Sequence, residues 1–132
     1  MDALTAATRW GETWERSWAG RESGPIVALY APDATYRSHP HRDPVPGGAA
    51  AYVTRAFGEE SAVECWFGAP IAMGSRAAVE WWASYVEEEQ EITFSGTTVL
   101  TFDGDGLVAD HVDYWVQGEG RLTPFSGWAG RG

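Results

Sequence analysis

A histidine and an aspartate two residues apart lie near the end of the chain, in a run that favours a β-strand. His111 and Asp113 belong to the segment Ala109–Val116, and side chains alternate along a strand, so His111, Asp113 and Trp115 share one face. In a concave apolar site, an aspartate beside a histidine can accept a proton from carbon or from water. The histidine then orients it or carries the proton onward. We therefore take Asp113 and His111 as the candidate catalytic residues.

Two other interpretations of this pair stay open. The two side chains could be hydrogen bonded to each other and only shape a pocket, since clusters of interacting titratable groups are often structural. Alternatively, their face could be the solvent side of an edge strand, in which case the site hypothesis fails.

A second polar group, His39, His41, Arg42 and Asp43, lies in a segment dense in proline and glycine. Two imidazoles spaced by two can point the same way, as metal ligands sometimes do, but flanking prolines disturb this alternation and Arg42 would place a positive charge beside any cation. We therefore expect no metal. The segment is interpreted as a loop at a pocket mouth, where Arg42 pairs with an acid or binds a carboxylate or enolate of the ligand. Ser38, His39 and Arg42 are predicted to make polar contacts with that ligand.

Tryptophan is unusually frequent, with eight in 132 residues. Large rings can line a cavity for a flat or terpenoid-like ligand, and the predicted ligand-binding set includes Trp14, Trp66, Trp82 and Trp115. Trp81 and Trp82 point to opposite faces of one strand, so at most one of them lies inside. Alternation alone does not decide which. The alternative is that the rings fill the core of a curved sheet or form a dimer face.

An α+β scaffold must bring these residues together. Hydrophobic periodicity predicts helices over 3–19, 26–30 (opened by Ser23, Gly24 and Pro25) and 49–57. Strands are predicted over 34–38, 62–72, 76–88, 91–102 and 107–117, the last two joined by Asp103-Gly104-Asp105-Gly106. Helices followed by long antiparallel strands are typical of helices packed on one face of a curved sheet. We expect one domain over 1–132, with a core at about 3–128 and a frayed tail that Trp128 alone could anchor.

Composition excludes several classes of protein. The net charge of −10, from 19 acidic residues and nine arginines, argues against nucleic acid and anionic membrane surfaces as partners. No apolar run approaches a membrane span, and the polar N-terminus does not resemble a signal peptide. The single Cys65, expected to be a small core residue, suits a reducing cytoplasm, where we place the protein. The absence of lysine excludes Schiff-base chemistry on this chain.

Four strings of residues resemble the nuclear-transport-factor-2-like superfamily, in particular its SnoaL-like and ketosteroid-isomerase-like branches. They are IVALYAPDATY (26–36), PGGAAAYV (46–53), AAVEWW (77–82) and VLTFDGDGLVADHVDYW (99–115). The resemblance covers nearly the whole chain. It implies a cone-shaped barrel in which N-terminal helices and a strongly curved, mainly antiparallel sheet enclose one pocket, and it implies a homodimer. It also implies that the Asp113 face looks into that pocket. Because unrelated activities occur on this fold, the resemblance does not name the chemistry.

Residue by residue, the ketosteroid-isomerase pattern is not kept. That branch places an aspartate base where this chain has Ser38, which cannot abstract a carbon-bound proton unaided. Its oxyanion hole uses a tyrosine and a protonated aspartate where this chain has Trp14 and Thr98. Steroid isomerisation is therefore not expected.

One catalytic position of the other branches is kept. SnoaL cyclases and limonene-epoxide-hydrolase-like enzymes carry an acid on the last long strand two residues before an aromatic, which Asp113 and Trp115 match. The Arg-x-Asp pair that the epoxide hydrolases add is missing from the strand over 76–88.

The sequence thus predicts a SnoaL-like protein that binds a hydrophobic, oxygenated small molecule without a cofactor. Its first functional hypothesis is an acid/base enzyme of the cyclase, isomerase or hydratase/hydrolase type. The alternative is a non-catalytic ligand-binding or dimerisation module, which the missing family residues favour.

Overall fold

Three α-helices and six strands make up the computed structural model, which describes residues 1–131. In chain order they are α1 (Ala3–Gly20), α2 (Ser23–Val27), β1 (Tyr30–Arg37), α3 (Gly48–Glu59), β2 (Ser61–Phe67), β3 (Ile71–Met73), β4 (Arg76–Glu87), β5 (Gln90–Phe102) and β6 (Val108–Glu119). A 3₁₀ turn, Trp128–Gly130, follows. The predicted α+β class is confirmed. Of the helices within residues 1–131, none combines the length and apolar character that a bilayer crossing requires.

Helix α1 forms where the hydrophobic periodicity of the sequence predicts a helix. The Asp2 carboxylate caps its first turn by accepting from the Thr5 N–H at 2.8 Å. Trp10 and Trp14 are buried on its inner stripe. The helix ends at Gly20. Arg21 follows with a left-handed backbone (φ 56°), and its guanidinium donates to the carbonyl of Phe57 at 2.6 Å. This contact ties the end of α1 to the end of α3.

Two predicted boundaries are wrong. Helix α2 begins at Ser23 and ends before residue 28, and β1 already begins at Tyr30, because this stretch pairs in parallel with β6. The Val108 N–H donates to the carbonyl of Leu29 at 2.9 Å. Contacts with a strand some 80 residues away thus override the local helical signal.

The predicted strand over 62–72 is two strands. The segment Gly68-Ala69-Pro70 separates β2 from β3, and proline has no N–H to donate to a sheet ladder. Both strands pair with β4, so the interruption displaces the chain without reversing it. Gly68 is required here, because a Cβ on it would lie 2.4 Å from the Cβ of Ala129.

The strands within residues 1–131 form one open, mixed sheet. Its order is β1-β6-β5-β4-β2, with β3 also on β4, and every pairing except β1 with β6 is antiparallel. Glu88 and Glu89 form the β4–β5 turn with left-handed backbones (φ 51° and 66°), and both are exposed to solvent. A Cβ on Gly96 would lie 1.9 Å from the carbonyl oxygen of Tyr114, so glycine alone allows β5 and β6 to approach there.

The two faces of the sheet are covered differently. On β4, Val79, Trp81 and Ala83 are buried in the hydrophobic core beneath the helices. Trp82 points to the opposite face, where its indole N–H donates to the carbonyl of Leu122 at 2.9 Å. The C-terminal segment therefore packs on the outer face.

Trp128 anchors the C-terminal tail, as the sequence allowed, and Arg131 adds a second contact that the sequence did not predict. Trp128 is buried, and the Arg131 guanidinium donates to the carbonyl of Phe67 at 3.0 Å. Gly132, the last residue of the predicted tail, lies outside the described residues.

Candidate functional site

A cavity of about 230 Å³ lies between α1, α3 and the inner face of the sheet. Its wall is mostly aromatic: Trp10, Trp14, Trp18, Tyr36, Tyr52, Phe57, Phe67, Trp81, Tyr85, Phe94 and Trp115. Its uncharged or hydrogen-bonded polar side chains are Ser38, Thr98, His111 and Asp113. Charged side chains also line it, namely Arg42, Arg55, Glu59, Glu60 and Glu87. Such a site suits a small, largely apolar molecule that carries a few polar atoms.

His111 and Asp113 are hydrogen bonded inside this cavity. Nε2 of His111 lies 2.7 Å from Oδ1 of Asp113. His111 is 1% exposed and Asp113 8% exposed, so their strand face is not a solvent face. The pair is thus buried and in contact, as an acid/base assignment requires.

The hydroxyl of Tyr30 decides which nitrogen of His111 carries the proton. It accepts hydrogen bonds from the indole N–H groups of Trp10 at 3.0 Å and Trp14 at 3.3 Å. A hydroxyl has two acceptor lone pairs and an indole N–H can only donate, so the Tyr30 O–H must itself donate to Nδ1 of His111, 2.9 Å away. Nδ1 is therefore unprotonated, and Nε2 carries the hydrogen that is donated to Asp113. Burial raises the pKa of Tyr30 well above its ordinary value, which keeps this hydroxyl protonated.

Asp113 accepts a second hydrogen bond on the same oxygen. Thr98, its direct neighbour across the β5–β6 pair, donates its hydroxyl to Oδ1 at 2.6 Å. The Trp81 indole N–H donates to the Thr98 oxygen at 2.9 Å, which fixes the direction of the Thr98 hydrogen. Oδ1 thus accepts from two neutral donors, while Oδ2 forms no hydrogen bond with any residue in 1–131.

Arg42 lies at the cavity without a carboxylate partner. Its Nη1 donates to Oγ of Ser38 at 3.1 Å, and its guanidinium carbon is 5.5 Å from the centre of the Trp115 ring. The Trp115 indole N–H donates to the Ser38 carbonyl at 2.6 Å, which holds the loop against the strand. Arg42 forms no ion pair within residues 1–131, so the alternative in which it pairs with an acid of this chain is not observed there.

The structure brings six predicted site residues to one cavity. They are Trp14, Ser38, Arg42, His111, Asp113 and Trp115. His39 does not line it: its ring packs edge-on against Trp115, and its Nδ1 accepts from the backbone N–H of His41 at 3.2 Å. Among residues 1–131, no three His, Cys, Asp or Glu side chains are grouped to hold a metal ion.

The structure also places Trp66 and Trp82 outside the cavity, which corrects their inclusion in the predicted set. The two residues are direct neighbours in the β2–β4 pair and therefore share the outer face. Trp82 packs there against Trp128, with ring centres 6.0 Å apart. Trp81 lines the cavity instead, because the helices cover the face to which it points.

Sequence reasoning missed several residues of the site. Tyr30 was predicted to lie in a helix, and Trp81 was the tryptophan not chosen. Thr98 was noted as a changed family position but not as a donor to Asp113. Thr98 lies directly opposite Asp113 in the β5–β6 hairpin, and the register of that hairpin is the sequence signal that could have identified it as a partner of Asp113. Cys65 lies in the core as expected, where burial raises its thiol pKa to about 12.

Comparison with known proteins shows which family has this architecture. Residues 12–111 match the SnoaL-like domain family. A steroid Delta-isomerase of Nocardioides simplex is 30% identical over 106 residues, which cover 80% of this chain and 86% of that protein.

Two solved structures are similar in fold. An LEH-like epoxide hydrolase of M. tuberculosis superposes with a TM-score of 0.70 at 20% identity, covering 86% of this chain and 84% of that one. SalBIII, an epoxide hydrolase/cyclase-like enzyme of pyran ring formation in salinomycin, gives a TM-score of 0.74 at 16% identity, covering 87% and 95%. At these identities the two structures establish a shared fold only. The family match and the 30% identity show that this chain belongs to the SnoaL-like domain family, as its motifs predicted.

Proposed function

We propose that the protein is an acid/base enzyme that isomerises a small, hydrophobic, carbonyl-bearing molecule, with Asp113 as the proton acceptor. The observation that carries this proposal is the environment of the Asp113 carboxylate in an aromatic cavity. Oδ1 is held by two donors, and Oδ2 has no hydrogen-bond partner among residues 1–131. A base must be both oriented and open to its substrate, and this carboxylate is both.

Asp113 would act by a reversible proton transfer. Oδ2 accepts a proton from the carbon next to the substrate carbonyl, and the electron pair of the broken C–H bond moves toward the carbonyl oxygen. The same proton returns from Asp113 to another carbon of the conjugated system, so the enzyme ends as it began. This chemistry needs no metal or organic cofactor.

His111 would orient Asp113 rather than carry the proton. With Nδ1 accepting from Tyr30, the imidazole already donates Nε2–H to Asp113 and has no further hydrogen to give. Of the two roles that the sequence left open, the hydrogen-bond directions favour orientation.

The cavity and its relatives narrow the substrate class. A volume of about 230 Å³ lies below the roughly 300–1,000 Å³ typical of drug-sized ligands, which favours a small molecule. Arg42, which forms no ion pair in the described part of the chain, suits a substrate that carries or develops negative charge on oxygen. The name of the Nocardioides relative supports isomerisation as the reaction type, while Ser38, Trp14 and Thr98 at the changed positions argue against the steroid itself.

The experiment uses a β,γ-unsaturated cyclohexenone in heavy water. Proton NMR follows both deuterium uptake beside the carbonyl and migration of the double bond. We expect wild type to catalyse both, and Asp113→Asn to lose about a hundredfold or more in kcat/KM. Asp105→Asn, in the exposed β5–β6 turn, is the matched control and should keep wild-type rates. Equal rates in wild type and Asp113→Asn would exclude the proposed role.

A second candidate function is ligand binding without turnover. It is favoured by the three changed positions of the isomerase pattern, Trp14, Ser38 and Thr98. Saturable binding of the same ketone with no deuterium uptake in wild type would support this function over the enzyme.

We also propose a cytoplasmic homodimer. The outer face of β6 exposes Tyr114 and Val116, which are 46% and 68% accessible in the single chain. Trp82 does not contribute to this surface, since the C-terminal segment of its own chain covers it. Light scattering coupled to gel filtration measures the oligomeric state, and Val116→Glu should shift a dimer toward monomer.

A further inference from the structure

A second carboxyl group borders the same cavity and is not used by the proposed mechanism. Glu60 follows α3 directly, is 6% exposed and lines the cavity. Its Oε1 accepts from the indole N–H of Trp18 at 2.7 Å. No ion pair within residues 1–131 includes Glu60, and its second oxygen has no hydrogen-bond partner there. A buried carboxyl with one neutral donor and no cation is more stable protonated than ionised.

The surroundings of Glu60 are mostly acidic or neutral. Seven titratable or charged side chains within residues 1–131 interact electrostatically with Glu60. They are Arg21 after α1, Tyr36 on β1, Tyr52 and Glu59 on α3, Cys65 on β2, and Tyr85 and Glu87 on β4. Burial raises the pKa of Glu60 to about 7, the Trp18 hydrogen bond opposes this rise, and the nearby Glu87 and Glu59 add to it. The guanidinium of Arg21 is engaged by the Phe57 carbonyl and forms no ion pair with Glu60.

The donors that the family pattern would place at the substrate oxygen are already occupied here. The Trp14 indole N–H donates to Tyr30, and the Thr98 hydroxyl donates to Asp113. A carbonyl substrate with its C–H at Asp113 therefore needs another group in the cavity to donate to its oxygen. Arg42 can donate a hydrogen bond there, but its guanidinium does not release a proton. A protonated Glu60 can supply both a hydrogen bond and a transferable proton.

We propose that Glu60 is a second catalytic residue of this cavity, a carboxylic acid that protonates the substrate carbonyl oxygen while Asp113 removes a proton from carbon. This inference rests on the proposed function, and it assigns to Glu60 the role of general acid, which the proposed mechanism had left without a residue. It defines the substrate as a molecule with a carbonyl oxygen at the Glu60 side of the cavity and an acidic C–H at the Asp113 side.

The proton balance closes over one turnover. Asp113 takes a proton from carbon, the C–H electron pair forms a carbon–carbon double bond, and the carbonyl π pair moves to oxygen, which takes the Glu60 proton to give a dienol. Glu60, now a carboxylate, then removes the enol proton, and the electron pair returns through the conjugated system to the distal carbon, which takes the proton from Asp113. Both carboxyl groups regain their starting states.

The first test is kinetic and uses the β,γ-unsaturated cyclohexenone. We expect Glu60→Gln, which keeps an acceptor for Trp18, to lower kcat about a hundredfold. In wild type, kcat/KM should fall as the pH rises through about 7, because the acid form is lost, and this fall should be absent in Glu60→Gln. Glu12→Gln, at an exposed position of α1 that does not line the cavity, is the matched control and should retain both rate and pH profile.

The second test needs no substrate. Carbon-13 NMR of glutamate-labelled protein, assigned by the absence of one signal in Glu60→Gln, should show the Glu60 carboxyl titrating near neutral pH. Titration in the ordinary glutamate range, or an unchanged kcat in a folded Glu60→Gln protein, overturns the role of Glu60. If Asp113→Asn loses activity while Glu60→Gln does not, only this inference fails. If Asp113→Asn remains active, the proposed function fails first.

Discussion

The hydroxyl of Tyr30 donates to Nδ1 of His111 across 2.9 Å, because Trp10 and Trp14 occupy both of its acceptor positions. One phenol therefore sets the tautomer of the imidazole that contacts Asp113. The chain of hydrogen bonds runs from α1 through β1 to β6, so the orientation of the candidate base depends on how a helix packs against the sheet. A polar network of this kind acts as a unit and is costly to leave partly satisfied.

Tyr30→Phe should weaken both the site and the fold. It removes the donor to His111 and leaves two buried indole N–H groups without an acceptor, each of which costs about 1–3 kcal/mol of unfolding free energy. We expect kcat with the ketone to fall about tenfold or more, and nitrogen-15 NMR to show His111 no longer held in the Nε2–H tautomer. Tyr114→Phe, on the exposed outer face of β6, should change neither quantity. A wild-type tautomer in Tyr30→Phe would show that Asp113 alone orients the ring.

The raised pKa of Glu60 should make stability depend on pH. Its pKa is about 7 in the folded protein against 4.5 in the ordinary case, so between these values the folded state keeps a proton that the unfolded chain has released. The unfolding free energy therefore falls as pH rises through this window, by about 3 kcal/mol from this group. The contribution is fully present below pH 4.5 and lost above about pH 7.

Urea denaturation of wild type and Glu60→Gln at both ends of this window checks the prediction. The glutamine variant should be the more stable of the two at the alkaline end, and the difference between them should shrink toward the acid end. A difference that does not change with pH would mean that Glu60 ionises normally in the folded protein. Glu12→Gln should follow wild type, since its side chain is exposed on α1 and does not line the cavity.

Trp81 and Trp82 should differ in their effect on ligand binding. Trp81 lines the cavity and donates to Thr98, so Trp81→Phe should weaken binding of the cyclohexenone by about tenfold. Trp82→Phe removes the hydrogen bond to Leu122 on the outer face and should lower stability by about 1 kcal/mol while binding stays unchanged. Fluorescence titration measures the affinity. Equal losses of affinity in the two variants would contradict the assignment of faces.

The local sequence pattern was sufficient to predict most of the helices and strands. The spacing of Trp10, Trp14 and Trp18 predicts α1, and strand alternation places His111 and Asp113 on one face, because both patterns depend on residues only a few positions apart. The four motif strings were sufficient to identify the family. Where a boundary was missed, as at Tyr30, pairing with a distant strand opposed the local preference.

Alternation determines that Trp81 and Trp82 point apart, but it carries no information on which face the helices cover. The packing of the helices on the sheet determines the covered face. Because they cover the face of Trp81, Trp66 and Trp82 lie outside the cavity and not in the ligand-binding set that was predicted. A residue's role in the cavity therefore depends on the sheet as a whole.

The sequence by itself determined the α+β class, the SnoaL-like family and the shared face of the His111–Asp113 pair. Only the tertiary structure determined which remote residues contact the buried polar groups. Tyr30 reaches His111 across 81 positions of the chain, and Trp18 reaches Glu60 across 42. The protonation and orientation of a buried group depend on its contacts and its distance from water, and both arise only when remote segments pack together.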